Sequence, residues 1–316
     1  DPAILNLPTF LRYPLAKLIA NRRTPIAKKI YEELGGSSPI LKLTKDQSIA
    51  LEKKLNQNEK SEEYKCFIVM RCWHPRAEEI IKNVKLYNPD EIILMPLYPQ
   101  YSAATSGSSI KEWNDVCKKN NYKIKTSVIC CYPTDKNFIN AHIKEINKKI
   151  KDLKNFKLIF SAHGLPEKNI KKGDPYQWQI EQSVSKIVEN LNYNNLDWVL
   201  SYQSRVGPLK WIGPSTDEII VENSKIGKHI VLVPIAFVSE HSETLVELDI
   251  EYKKLAMNNG CKQYTRVPAL GTNENFIKAM SELIIKKDQY KFNNYLYPPK
   301  IKCPSYFKKC PCLEYE

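Results

Sequence analysis

Three groups of residues in this sequence have types and spacing that suit chemistry. The first is His163, just past the apolar run Leu158-Ile159-Phe160. Such a run reads as a short buried strand, and Gly164 and Pro166 end it. In α/β proteins, ligands bind beyond the carboxyl ends of strands. His163 is therefore expected at the mouth of a cleft, where a neutral imidazole takes protons or binds a metal. The plain alternative is a histidine hydrogen-bonded in a strand–loop corner. The second group is Glu243, Glu247 and Glu251, with Glu240 just before them. Their four-residue spacing places carboxylates on one helix face, where like charges repel. Carboxylate oxygens suit hard cations and relay protons. A solvated acidic face is the alternative. Against it, Phe237-Val238 precede the row without a polar linker, and the chain is basic overall, at +13. The third group is Cys303, Cys310 and Cys312, interleaved with Pro304 and Pro311. Clustered thiols are soft-metal ligands. Cys130 or Cys131 is the candidate fourth ligand. Four thiolates hold a 2Fe–2S cluster or a zinc ion, and spacing alone does not choose between them. Free tail thiols are the alternative.

The elements that must position these groups follow from apolar patterning. Strands are expected at Cys66–Met70, Glu91–Leu97, Thr126–Cys131, Lys157–Ser161, Trp198–Tyr202, His229–Phe237 and Lys262–Pro268. Helices are expected around Leu15–Ala20, Thr44–Leu55, Arg76–Leu86, Asp135–Lys151 and Asn273–Lys287. Strands alternating with helices mean parallel sheets with crossovers. The fold class is α/β, with two similar Rossmann-like domains and the active-site cleft between them. The expected division is an N-terminal domain over 1–150, a C-terminal domain over 151–290 and a Cys-rich extension over 291–316. The helix near 273–287 is expected to return to the first domain. The tail from Tyr290 is expected to stand apart.

Composition narrows the function classes. At 316 residues the chain is long enough for one large or two ordinary domains. Its 42% hydrophobic and 26% charged content is that of a globular protein, not a disordered one. No apolar run is long enough to span a bilayer, and the start has no signal-peptide pattern. A net charge of +13 suggests an anionic partner. There is no recognised nucleic-acid module and no aromatic pattern beside the lysines, so nucleic acid is not an expected partner. A membrane surface or a carboxylate-bearing substrate fits better. Nine cysteines in such an enzyme suit a reducing compartment. The apolar start around Leu7 and Leu11, followed by Arg22 and Arg23, has the composition of an interface lip; a plain surface helix is the alternative.

Longer motifs carry a resemblance. FSAHGLP, GDPY, YQSRVGPLKW, GPSTDE and FVSEHSETLVELDIEY resemble the ferrochelatase family in order and spacing. RRTPIAKKIYEELGGSSPI, MRCWHP and LMPLYPQYSAATSGSS in the first half are similar to the same family. The match runs from about Leu7 to the end; the family's first strand normally precedes it. The resemblance implies insertion of Fe²⁺ into protoporphyrin IX to give protoheme, the last step of heme biosynthesis. The rivals are a chelatase for another tetrapyrrole, such as coproporphyrin, and a tetrapyrrole carrier without turnover.

Metal insertion needs a base, a group that delivers the metal, and an apolar clamp that bends the macrocycle. The resemblance gives His163 the required histidine role, as proton acceptor or metal ligand. It places Glu243 near His163 and facing the porphyrin, with Glu247 and Glu251 conducting ions or protons. The clamp is expected from Leu7, Leu11, Tyr98, Trp211 and Phe237, with Ser204 also in the porphyrin site. Arg22, Arg23, Arg71 and Ser109 are candidates for propionate or phosphate contacts, since arginine binds carboxylates bidentately. Many family members carry an aromatic residue after the arginine equivalent to Arg71; here it is Cys72. The cysteine tail resembles bacterial ferrochelatases with a 2Fe–2S cluster on a C-terminal extension. The internal ligand of the animal enzymes matches Ala103 here. The resemblance also implies a protein peripheral to the inner membrane on its cytoplasmic side, or to an organellar inner membrane, with a homodimer as an allowed assembly.

Overall fold

The computed structural model describes residues 8–57, 62–205, 207, 209–289, 291–292, 295–296 and 303–313. Leu7 lies outside the described residues, as do Val206 and Pro208 of the YQSRVGPLKW motif. The first part of the chain runs α1 (Thr9–Glu33), α2 (Ile40–Leu55), α3 (Ala77–Tyr87), β1 (Glu91–Leu94), a π-helix (Ala103–Gly107), α4 (Ser108–Lys119), β2 (Lys125–Ile129) and α5 (Lys136–Ile150). The next part is β3 (Phe156–His163), α6 (Glu167–Lys171), α7 (Tyr176–Asn190), β4 (Trp198–Gln203), α8 (Thr216–Lys225) and β5 (His229–Pro234). A second π-helix (Glu243–Glu251), α9 (Tyr252–Asn258), β6 (Tyr264–Arg266) and α10 (Glu274–Ile285) follow, and the two short strands β7 (Lys291–Phe292) and β8 (Tyr295–Leu296) come last.

Two sheets result, one in the order β1-β2-β8-β7 and one in the order β4-β3-β5-β6. The second is parallel throughout. A parallel sheet covered on both faces reads as continuous apolar sequence, and its central strands do. Along β3 and β5 the side chains alternate between two cores. Leu158, Phe160, Val231 and Val233 belong to the main core, while Ile159, Ile230 and Leu232 face a second one with Leu248 and Tyr252. Leu248 belongs to the glutamate-bearing π-helix and Tyr252 opens α9, so the second core seats the glutamate row beside His163's strand. Each such buried side chain contributes about 1.5–3 kcal/mol. The main core extends from Leu51 and Leu55 of α2, through Ile146 of α5, to Phe276 and Met280 of α10. α10 thereby packs on α2 and α5.

Four expectations are corrected. Cys66–Met70 enters no ladder among the described residues. Phe67 and Val69 pack against the buried residues of α3 and α4 instead, so burial rather than strand pairing accounts for their apolarity. The helix at Leu15–Ala20 extends over Thr9–Glu33, through Pro14 and Pro25. The segment after Tyr290 does not stand apart, since β8 pairs parallel with β2 and so extends the first sheet. Glu243–Glu251 is a π-helix, not an α-helix. π-Helical turns are rare and concentrate at functional sites.

Candidate active site

β3 ends on His163, in register with Gln203 of β4. The imidazole Nδ1 lies 2.7 Å from the carbonyl oxygen of Gly164. A carbonyl only accepts, so Nδ1 carries a proton and Nε2 is the ring nitrogen turned toward the site. That Nε2 lies 3.8 Å from Oε2 of Glu243. His241 repeats the arrangement. Its Nδ1 lies 3.2 Å from the Ser239 carbonyl and its Nε2 lies 3.9 Å from the same Glu243 oxygen. Two imidazole Nε2 atoms thus converge on one carboxylate oxygen. Glu243 Oε2 is itself buried and has no hydrogen-bond partner among the described residues. A buried carboxylate oxygen without a donor is costly, and a cation or a transferred proton between these three groups would satisfy it.

The neighbouring acids are already engaged. Arg266 donates to Glu240 and Asp249, and the Ala269 amide also donates to Glu240. Glu247 accepts from the amide and hydroxyl of Ser204, from Gln203 Nε2 and from the Tyr252 hydroxyl. Burial pushes the Glu247 carboxyl above its usual range, the Ser204 hydroxyl pulls it down, and the charge of Glu243 adds to the rise. Ser204 has φ +58°, in the left-handed region that side chains rarely adopt. This conformation accompanies the turn of both its donors onto Glu247. Glu251, at the end of the row, is exposed. The row therefore runs from a half-buried carboxylate beside two histidines to solvent.

The loop after His163 is held from two sides. Glu167 and Ile212 donate backbone bonds between segments 165–167 and 210–212. A Cβ on Gly164 would lie 2.8 Å from the Gln203 carbonyl and 3.2 Å from the Trp211 ring. Only glycine allows that approach, and it places Trp211 against the catalytic loop. On the other side, the Tyr176 hydroxyl donates to the His163 carbonyl at 3.0 Å. The Phe237 ring lies 4.9 Å from that of His241. The loop carrying Phe237 is pinned by Gln47 of α2, which donates to the carbonyls of Val238 and Gly271 and accepts from Ser239.

Tyr98 lies within electrostatic reach of the same centre. Removal from water raises its phenol, with Cys72 and Glu243 adding to the rise and Arg71 opposing it. Arg71 donates to Ser108 at 2.7 Å and faces Glu112 at 3.4 Å; Ser109 lies beside Ser108 in the first turn of α4. Leu11, Arg22 and Arg23 are on α1, which has no buried residue among those described. No hydrogen bond or ion pair among the described residues joins them to the His163–Glu243 centre, and Phe10, Tyr13 and Leu18 stand exposed beside them.

The cysteines form a second centre. The sulfurs of Cys130, Cys310 and Cys312 lie within 4.8 Å of one another, and all three residues are buried. Cys130 and Cys131 follow the carboxyl end of β2, which stops at Ile129. Hydrogen bonds from Cys130 and Cys310 pull the Cys312 thiol down, while bonds to Cys131, Cys310 and Cys312, with burial, push Cys130 up. Cys131 and Cys303 both receive hydrogen bonds from Gln179. The tail docks on the loop before α7, where Lys309 donates to the Gly173 carbonyl at 3.1 Å. Gly173 has φ +86°, and a Cβ there would lie 2.7 Å from the Lys308 nitrogen.

The family model described as ferrochelatase matches residues 1–288. A curated ferrochelatase of Pelagibacter ubique is 83% identical over 316 residues, covering all of this chain and 92% of that protein. The chain belongs to the ferrochelatase family. A Rickettsia bellii ferrochelatase is 47% identical, over 99% of this chain and 88% of its own length. Among solved structures, SirB from Bacillus subtilis with Fe3+ aligns with a TM-score of 0.58 at 14% identity, covering 82% of this chain and 96% of that one. This likeness supports the α/β fold of two Rossmann-like units.

Several residues of this ferrochelatase-family site escaped the sequence reading. His241 was within reach, because it sits two residues before Glu243 at the end of an apolar strand segment. Gln47 and Tyr252 carry no comparable signal. Both act through contacts with segments distant in sequence or with a helix not recognised as π.

Proposed function

We propose that the chain inserts Fe²⁺ into protoporphyrin IX to give protoheme, with His163, Glu243 and His241 at the point of insertion. The single observation that carries this reading is the buried Glu243 oxygen, without a hydrogen-bond partner among the described residues, facing two imidazole Nε2 atoms. Insertion replaces two pyrrole protons with one dication, so two protons must leave as the iron enters. The three groups are bases able to take those protons or to ligate the arriving metal. Glu247 and Glu251 continue toward solvent and give protons or hydrated iron a path. Trp211, Phe237 and Tyr98 supply the flat apolar walls; Arg71 and Ser109 lie where a propionate can be met. Ser204 serves by holding Glu247. The division we propose is 1–150 and 151–290, with 291–316 an extension whose first strands join the sheet of the first domain, and with a homodimer as its assembly.

The test is an anaerobic assay of the full chain with Fe²⁺, offered protoporphyrin IX and coproporphyrin separately. The reading requires faster turnover of protoporphyrin. A preference for coproporphyrin would transfer the activity to the other tetrapyrrole, and binding of either without turnover would make the protein a carrier.

The cysteine centre fits a 2Fe–2S cluster: three buried thiols converge beyond the end of β2. We assign Cys130, Cys310 and Cys312 as ligands on their convergence, and Cys303 as the fourth on the family resemblance of the tail; Cys131 then lies outside the set. Thiolates hold zinc equally well, so the metal must be measured. Protein purified without oxygen is expected to be reddish, with iron and sulfide in equal amounts. Cys310→Ser and Cys312→Ser should each lose that colour, Cys130→Ser should lose it too, and Cys131→Ser should keep it. One zinc and no iron in the wild type would refute the cluster.

No helix among the described residues is long and apolar enough to cross a membrane. α1 suits a peripheral contact, with exposed Phe10, Leu11, Tyr13 and Leu18 and the cations Arg22 and Arg23. The site of action we propose is the cytoplasmic face of the inner membrane. The chain is expected to bind anionic vesicles and to release them as salt rises, since a Debye length shrinks from about 10 Å at 0.1 M to about 3 Å at 1 M. Flotation that shows no binding at low salt would remove the membrane from the account.

A further inference from the structure

Gln179 is the polar side chain at the cysteine centre to which the proposed reaction gives no part. It lies on α7 and is 1% exposed. Its Oε1 accepts the Tyr101 amide at 2.7 Å. That bond fixes the amide's orientation, because a backbone N–H needs the oxygen. The NH₂ group is thereby aimed at two sulfurs, Cys303 at 3.2 Å and Cys131 at 3.4 Å. Its two protons serve both. The surroundings include the buried Tyr101 and Phe307 and the ring of Trp178, and hydrogen bonds strengthen in such a low-dielectric setting.

We propose that Gln179 is the hydrogen-bond donor to the Cys303 sulfur that sets the reduction potential of the cluster. The proposal rests on the cluster reading given above. One-electron reduction adds negative charge that spreads onto the ligand sulfurs. An N–H aimed at a sulfur stabilises the reduced form more than the oxidised form and so raises the potential. The donation is charge-assisted and shielded from water, which places its expected effect near a factor of ten between the two forms.

The experiment is a dye-mediated redox titration of the anaerobically purified full chain, read by visible absorbance and by the paramagnetic signal of the reduced cluster. Gln179→Met keeps the length of the side chain and removes the donor. It should shift the equilibrium about tenfold toward the oxidised cluster, a midpoint about 59 mV lower for one electron. Gln179→Asn retains an amide but withdraws it, and should fall between. Ser183→Ala is the packing control. Ser183 lies one turn further along α7 and donates to the Pro133 carbonyl beside the same loop, without touching a sulfur. It should leave the potential unchanged. An unchanged midpoint in Gln179→Met, or an equal shift in Ser183→Ala, would overturn the proposal while leaving the cluster in place. Loss of the cluster from both Gln179 variants would also overturn it, because Gln179 would then be needed to build the centre. A wild type without iron and sulfide would sink the cluster reading itself, and this proposal with it.

Discussion

Replacing His163 with alanine is expected to reduce metal insertion by about 10²–10⁴-fold, the usual contribution of a positioned acid or base, while porphyrin still binds. The strand end that carries His163 does not depend on the imidazole. Its carbonyl is held by Tyr176, and the loop beyond is held by Gly164 against Trp211. The apolar walls should therefore survive the substitution. What disappears is the Nε2 atom that faces Glu243. Porphyrin affinity can be followed by fluorescence quenching and turnover by loss of the porphyrin spectrum. A variant that binds and turns over at near wild-type rates would remove His163 from the mechanism. One that binds no porphyrin would give the residue a structural role instead.

The second large effect is expected at the near end of the glutamate row. Glu243→Gln keeps the size of the side chain and removes the charge and the second acceptor oxygen. The amide has no reason to hold a cation between two histidines, so turnover should fall by two orders of magnitude or more, on the scale of other positioned acid–base groups. Glu251→Gln should cost at most a few-fold, since Glu251 is exposed and two turns distant. Steady-state rates at saturating porphyrin, over a range of metal concentration, separate the two. Equal small effects at both positions would support a solvated acidic face and contradict the path proposed here.

Much of this site was legible in the sequence because its residues sit in short motifs at element ends. His163 follows an apolar strand, and the glutamates recur at a fixed spacing. The cysteines crowd a tail beside two prolines. The same local reading missed what only the folded chain provides. The spacing of Glu243, Glu247 and Glu251 fits an α-helix as well as the π-helix that forms, because periodicity cannot report which amide bonds to which carbonyl. Ser204 reads as a porphyrin contact in a polar loop, yet both its donors turn onto Glu247. Cys130 and Cys131 are indistinguishable by position. Only the folded chain brings Cys130 within 4.8 Å of Cys310 and Cys312, a grouping that does not include Cys131. Cys66–Met70 shows the opposite failure: an apolar run implies burial, and burial is not strand pairing.

The central claim is that this chain performs metal insertion, not merely tetrapyrrole binding. Zinc tests it most directly, because zinc porphyrin fluoresces apart from the free base and needs no anaerobic handling. Purified full-length chain, supplied with excess protoporphyrin IX and Zn²⁺, is predicted to form many equivalents of zinc porphyrin per protein, and His163→Ala almost none. Formation of no more than one equivalent, or equal rates in wild type and variant, would contradict the account.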